Sequence, residues 1–126
     1  MRVAINGFGR IGRSVFRILD RRNDINVLAI NDLFDYEALA YLLKYDTVMG
    51  GFGAGVEIDG DILKTPRDTV KMLHERDPAA LPWNELDIDV AIESTGVFRG
   101  RDQIAAHLQA GAARVILTVP AKDKID

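Results

Sequence analysis

A chain of 126 residues is long enough to bury a hydrophobic core and short enough to form one domain, 1–126, and its charged and apolar content is that of a globular protein. The net charge is -3 with Lys and Arg scattered, which gives no electrostatic basis for nucleic acid or an anionic membrane as partner, and no apolar run approaches the roughly 18 residues of a membrane span. Cysteine is absent, so disulfides, thiolate metal sites and a thiol nucleophile are excluded within these residues.

Arg2–Asn6 is predicted as a strand, entered from Met1 without a hydrophobic signal region, and the expectation is a cytoplasmic protein. From Arg10 to about Arg22 the apolar residues Ile11, Val15, Ile18 and Leu19 recur at i, i+4, i+7 and i+8, one face of a helix. Arg21 and Arg22 close it at the negative end of the helix dipole. Asn26–Asn31 is a second strand around Val27-Leu28-Ala29-Ile30, followed by Asp32. Asp35 is placed to cap a helix carrying Tyr36, Leu39, Leu42 and Leu43. Gly50, Gly51, Gly53 and Gly55 then crowd together. Val56-Glu57-Ile58 and Ile62-Leu63-Lys64 flank Asp59-Gly60, a hairpin signal, and Val70–Leu73 reads as another short strand. This middle part is expected to form a small antiparallel insertion beside the main sheet. The alternation resumes with a strand at Asp89–Glu93 and a helix at Arg101–Ala110, Ile104 and Leu108 turned inward. Gly111 serves as its αL stop, and a last strand, Arg114–Thr118, ends before Pro120.

The segment Asn6-Gly7-Phe8-Gly9-Arg10-Ile11-Gly12-Arg13 sits between the first strand and the first helix, and Asp32 ends the second strand. Strand, glycine turn, helix, strand and carboxylate in that order describe a dinucleotide site on an α/β, Rossmann-type doubly wound sheet, mostly parallel. Gly7 permits the tight turn, Gly9 lets the backbone approach a pyrophosphate, and Gly12 lets the helix pack closely. The phosphates belong at the helix N-terminus, where unpaired N–H groups and the dipole favour negative charge; the backbones of Arg10 and Ile11 would hold them. The Ile11 side chain would pack on the nicotinamide. Asp32 can accept hydrogen bonds from the adenosine ribose and would repel a 2′-phosphate, so the expected cofactor is NAD rather than NADP. An Asp ending a strand can also merely organise the next turn. Ser94-Thr95-Gly96 follows a strand and could line the same crevice, or be an ordinary turn. His74 and His107 are the only histidines; neither has a nucleophile or metal-ligand partner at useful spacing, and His107 is expected at the surface or its boundary. Trp83, after Pro82, is read as packing. No catalytic residue and no metal site is expected within the chain.

Several stretches together resemble the phosphorylating glyceraldehyde-3-phosphate dehydrogenase family. They are A-I-N-G-F-G-R-I-G-R (4–13), A-I-N-D-L (29–33), L-K-Y-D-T (43–47), E-R-D-P (75–78), P-W (82–83), E-S-T-G-V-F (93–98), A-G-A (110–112) and T-V-P-A-K-D (118–123). The resemblance implies the N-terminal, NAD-binding domain of an enzyme converting glyceraldehyde 3-phosphate, phosphate and NAD to 1,3-bisphosphoglycerate in glycolysis. It also implies a homotetramer at full length. By motif, Arg10 and Ile11 would contact the pyrophosphate and nicotinamide, Asp32 the adenosine ribose and Leu33 the adenine. Arg76 would meet the adenine edge through its backbone. Thr95, Gly96 and Phe98 would line the adenine side, and Thr118 would approach the nicotinamide end.

The family's cysteine segment S-N-A-S-C-T-T-N and its general-base histidine are missing here. The expectation is a domain or fragment that binds NAD without turnover, since the chemistry needs a thiolate to attack the aldehyde before hydride passes to NAD. The sugar-phosphate substrate would bind only in a longer protein. Erythrose-4-phosphate dehydrogenase is a sister family whose members tend to carry Glu at the ribose position and Cys before T-G, so Asp32 and Ser94 favour the glyceraldehyde family. A stand-alone, non-catalytic NAD-binding module is the alternative from another class.

Overall fold

The computed structural model describes residues 1–45, 56–65, 68–95 and 101–118. The strands are β1 (Arg2–Asn6), β2 (Asn26–Asn31), β3 (Glu57–Asp59), β4 (Ile62–Lys64), β5 (Thr69–Leu73), β6 (Val90–Glu93) and β7 (Arg114–Leu117). The helices are α1 (Arg10–Asp20), α2 (Tyr36–Tyr45) and α3 (Arg101–Gln109), with a short 3₁₀ turn at Pro78–Ala80. All seven strands form one sheet in the order β3-β4-β5-β2-β1-β6-β7. Strands β5, β2, β1, β6 and β7 are parallel; β4 runs antiparallel to both β3 and β5. The hairpin therefore extends the main sheet at its edge. Its two-residue loop is Gly60-Asp61, with Gly60 at φ +61 and Asp59 paired with Ile62.

From β1 the chain winds outward through β2 to β5, then returns to the other side of β1 as β6. The winding direction thus reverses between β1 and β6, and the loops leaving these strands part there to open a crevice. Both faces of the sheet are covered, which is why the interiors of its central strands are apolar, between Arg2 and Asn6 in β1 and between Asn26 and Asn31 in β2. On one face Val3, Ile5, Val27 and Ile30 pack with Phe8, Phe16, Leu39 and Leu43. On the other, Ala4 lies in register with Ala29 and Ala91, a row of small residues against which fully buried Trp83 packs with Leu81, Ile88 and Ala110.

The inward face of α1 differs from the expected stripe. Gly12 and Phe16 are buried, Val15 and Leu19 flank them, and Ile11 and Ile18 are 45% and 59% exposed. The contact through Gly12 sets the rotation of the helix and turns positions 11 and 18 away from the sheet. Leu42 of α2 is likewise exposed while Leu39 and Leu43 are buried. Asp35 does stand at the start of α2, its carbonyl accepting from Leu39 N at 3.0 Å. In α3, Leu108 is exposed and His107 is buried; the Ile104 side chain lies outside the described residues, as do Gly50–Gly55. Gly111 ends α3 at φ +116, and its N–H bonds the Leu108 carbonyl.

Candidate dinucleotide-binding site

The glycine turn joins β1 to α1 at the point where the sheet reverses. Gly7 has φ +98, a region that only glycine enters freely, and its N–H bonds the Asn31 carbonyl at 2.7 Å. A Cβ at Gly7 would lie 2.7–2.8 Å from Thr95, so the turn presses directly on the loop after β6. At Gly12 a Cβ would lie 2.1 Å from the Gly7 carbonyl oxygen, which lets α1 begin immediately beneath the turn. Gly9 is different: a Cβ there would meet nothing within 4 Å. It faces the crevice. Gly9 is also the N-cap of α1, and no side chain caps the helix or adds an acid to its first turn. The first N–H groups of α1 are thus left to serve an anion.

Asp32 stands across the crevice at the end of β2. One carboxylate oxygen accepts from Phe8 N at 2.7 Å and the other from Phe34 N at 3.0 Å. The first bond ties the glycine turn to β2, and the second organises the turn after β2. A carboxylate has about four lone-pair positions, so each oxygen keeps capacity for a hydroxyl donor. Both expected roles of Asp32 are compatible on this geometry.

The crevice has a volume of about 400 Å³ and is lined on one side by Asp32, Leu33, Phe34 and Arg76 and on the other by Gly7, Gly9, Ser94 and Thr95. Of the residues expected at the site, Gly7, Gly9, Asp32, Leu33, Arg76 and Thr95 meet in this cleft. Arg10 and Ile11 open α1 beside it, and Gly12 supports the turn from beneath. Thr118 lies just past β7, its N and Oγ1 both donating to the Glu93 carbonyl at 3.1 Å. Gly96 and Phe98 lie outside the described residues.

A polar chain that spacing alone did not reveal runs from the floor of the cleft, which Asn6, Asn31 and Glu75 also line, into the core. Asn31 exchanges hydrogen bonds with the Glu75 backbone, accepting from its N–H and donating to its carbonyl, both at 2.8 Å. The same amide donates to Asn6 Oδ1 at 2.7 Å, and Asn6 Nδ2 donates to Glu93 Oε1 at 2.7 Å. The other Glu93 oxygen accepts from Thr95 N at 3.0 Å and Thr95 Oγ1 at 2.6 Å. His107 completes the chain, which corrects the expectation of a boundary residue: it is fully buried. The indole N–H of Trp83 can only donate, and it meets His107 Nδ1 at 2.9 Å. The His107 proton therefore sits on Nε2, which donates to Glu93 Oε1 at 2.8 Å. The one sequence signal for this chain was polar residues, Asn6, Asn31 and Glu93, ending otherwise apolar strands.

A family profile described as "Glyceraldehyde 3-phosphate dehydrogenase, NAD binding domain" matches residues 1–101. The chain belongs to the glyceraldehyde-3-phosphate dehydrogenase family. It is 51% identical to the cytosolic glyceraldehyde-3-phosphate dehydrogenase of Trypanosoma brucei brucei over 98% of its length, and 55% identical to the Thermotoga maritima enzyme over 96%. Identity to the Streptomyces coelicolor glyceraldehyde-3-phosphate dehydrogenase is 46% over 98% of the chain. In each case the chain spans 37% of the relative's length. Within the glyceraldehyde-3-phosphate dehydrogenase family the matched region is the Rossmann-type NAD-binding domain, and NAD is its cofactor. The uncapped α1 terminus, the open space at Gly9 and the Asp32 carboxylate fit that dinucleotide. Among the described residues, no helix is long and apolar enough to cross a membrane.

Proposed function

We propose that this chain is the cofactor half of a glyceraldehyde-3-phosphate dehydrogenase and binds NAD in the crevice between Gly9 and Asp32. The observation behind this reading is the pairing of a Cβ-free position over an uncapped helix terminus with a carboxylate on the opposite wall. The N–H groups at the start of α1, at Arg10 and Ile11, receive the pyrophosphate. Asp32 orients the adenosine ribose and excludes a 2′-phosphate. Leu33 and Arg76 hold the adenine on one wall with Thr95, Gly96 and Phe98 opposite. Ile11 and Thr118 border the nicotinamide end, and Gly7 and Gly12 keep the turn tight. Bound NAD supplies a hydride acceptor; the chain's own work is to bind and orient it.

The chain has no cysteine, so it holds no thiol to attack an aldehyde. Binding without turnover is its proposed activity in isolation, and the catalytic domain is proposed to lie outside residues 1–126. In the complete protein, the reading is oxidation of glyceraldehyde 3-phosphate with phosphate and NAD, in a cytoplasmic homotetramer of glycolysis. Calorimetric titration of the chain with NAD and with NADP tests the binding. NAD is expected to bind more tightly; equal affinity for both, or none for NAD, refutes the assignment.

A further inference from the structure

Glu93 does not line the cleft, yet both walls are tied to it. On one side its carboxylate takes two hydrogen bonds from Thr95, a lining residue. On the other, Asn6 and Asn31 carry an unbroken line of hydrogen bonds to the backbone of Glu75, next to Arg76 in the opposite wall. We infer that Glu93 is a positioning residue: a buried spacer that sets the separation of the two walls of the cofactor cleft before the dinucleotide arrives. This rests on the NAD reading and adds the group that preorganises the site.

Four donors converge on the carboxylate, from Asn6, His107, Thr95 N and Thr95 Oγ1. Burying a charge is costly unless it is fully hydrogen-bonded, and a neutral amide could not accept from all four. The geometry also dictates how a glutamine would fail. His107 Nδ1 is committed to accepting from Trp83, so Nε2 must donate and demands an oxygen. Asn6 Nδ2 demands the same oxygen, because turning its amide would break the bond from Asn31. In Glu93→Gln the new carboxamide therefore keeps its oxygen towards Asn6 and His107 and turns its NH₂ towards Thr95. The Thr95 hydroxyl can rotate to accept. The Thr95 backbone N–H cannot, and it loses the carboxylate oxygen it donates to. The damage falls on one wall of the cleft while the His107–Trp83 side stays intact.

The test compares Glu93→Gln with Val70→Ala, a core change in β5 whose fully buried side chain takes no part in the chain of hydrogen bonds. NAD titration of Glu93→Gln is expected to show affinity about tenfold weaker, the consequence of a half-buried Thr95 N–H deprived of its carboxylate acceptor. Its Thr95 amide resonance moves and exchanges faster, while the emission of Trp83, the sole tryptophan, stays where it was. Val70→Ala lowers the unfolding midpoint and leaves NAD affinity of the folded protein unaltered. A folded Glu93→Gln protein with unchanged NAD affinity, or one that shifts Trp83 and spares Thr95, overturns the inference. Should Glu93→Gln not fold, hydrogen exchange on the unaltered chain decides. A preset spacer requires the side-chain amides of Asn6 and Asn31 to be protected before NAD is added, and protection that arises only with NAD overturns it. Failure of the unaltered chain to bind NAD refutes the cofactor assignment and this inference together; binding that Glu93→Gln leaves intact refutes the inference alone.

Discussion

Gly9→Ala and Gly12→Ala, three positions apart, should fail for opposite reasons. At Gly9 the backbone lies at φ -77 and ψ -161, extended geometry that alanine adopts freely, and the added methyl meets nothing within 4 Å. The cost to folding is that of a poorer N-cap, about 0.5–1 kcal/mol, a few degrees or less in Tm. The methyl does occupy the space proposed for the pyrophosphate. Overpacking of about 1–3 kcal/mol against the ligand corresponds to roughly ten- to hundredfold weaker NAD binding. At Gly12 the methyl would lie 2.1 Å from the Gly7 carbonyl oxygen, where at least 3.0 Å is needed, so turn and helix must part by about 1 Å. Alanine returns about 1 kcal/mol in helix propensity, which does not offset an overlap costing about 1–3 kcal/mol or more. Gly12→Ala should therefore lower Tm by about 4 °C, taking a net loss of about 1 kcal/mol and roughly 4 °C per kcal/mol for a domain of this size. Thermal melts by circular dichroism and NAD calorimetry on both variants separate the two effects. A Gly9→Ala protein that binds NAD normally, or a Gly12→Ala protein as stable as the parent, would refute the reasoning.

Asp32→Ala removes the ribose acceptor and the anchors of Phe8 N and Phe34 N, so NAD affinity should fall about ten- to hundredfold and the preference over NADP should shrink. Paired titrations with the two cofactors check this, and an unchanged ratio counts against the role of Asp32. His107→Leu strands the buried Trp83 indole N–H and takes one donor from Glu93; a loss of about 2–4 kcal/mol is expected in denaturant unfolding, with a shift in Trp83 emission. The exposed Lys71–Asp61 pair tests the opposite limit. The hydrogen bond from Lys71 holds the Asp61 carboxyl below its usual range, so its contribution is present above the ordinary carboxylate pKa and is lost as pH falls through the lowered value. Solvent screens the pair, so Asp61→Asn should leave Tm at neutral pH within error and only soften the acid decline below about pH 4.

The strand ends at Asn6 and Asn31 and the stop at Gly111 could be read from the sequence because each rests on local chemistry. Apolar residues bounded by polar ones mark a buried parallel strand, and a glycine after a helical stripe supplies the positive φ that other residues resist. The inward face of α1 was not legible in the same way. Ile11 and Ile18 fit a helical stripe as well as any apolar residue, and the residue that turns them outward is Gly12, which has no hydrophobicity to register. Leu108 and His107 show the converse: the leucine is exposed and the histidine is buried, because Trp83 and Glu93 meet both ring nitrogens.

From the sequence alone came the order of strand, glycine turn, helix, strand and carboxylate, and with it the fold class, the cofactor and the Gly7, Gly9 and Asp32 positions of the cleft, while Leu33 and Arg76 came from the family resemblance. These follow from backbone conformation, side-chain size and charge at single positions, properties that neighbours along the chain already define. Only the tertiary structure decided which helix faces point inward and that Asn6, Asn31, Glu93, His107 and Trp83 form one hydrogen-bonded line. Such pairings join residues up to 87 positions apart, and a donor's partner is set by whatever the fold brings within about 3 Å of it.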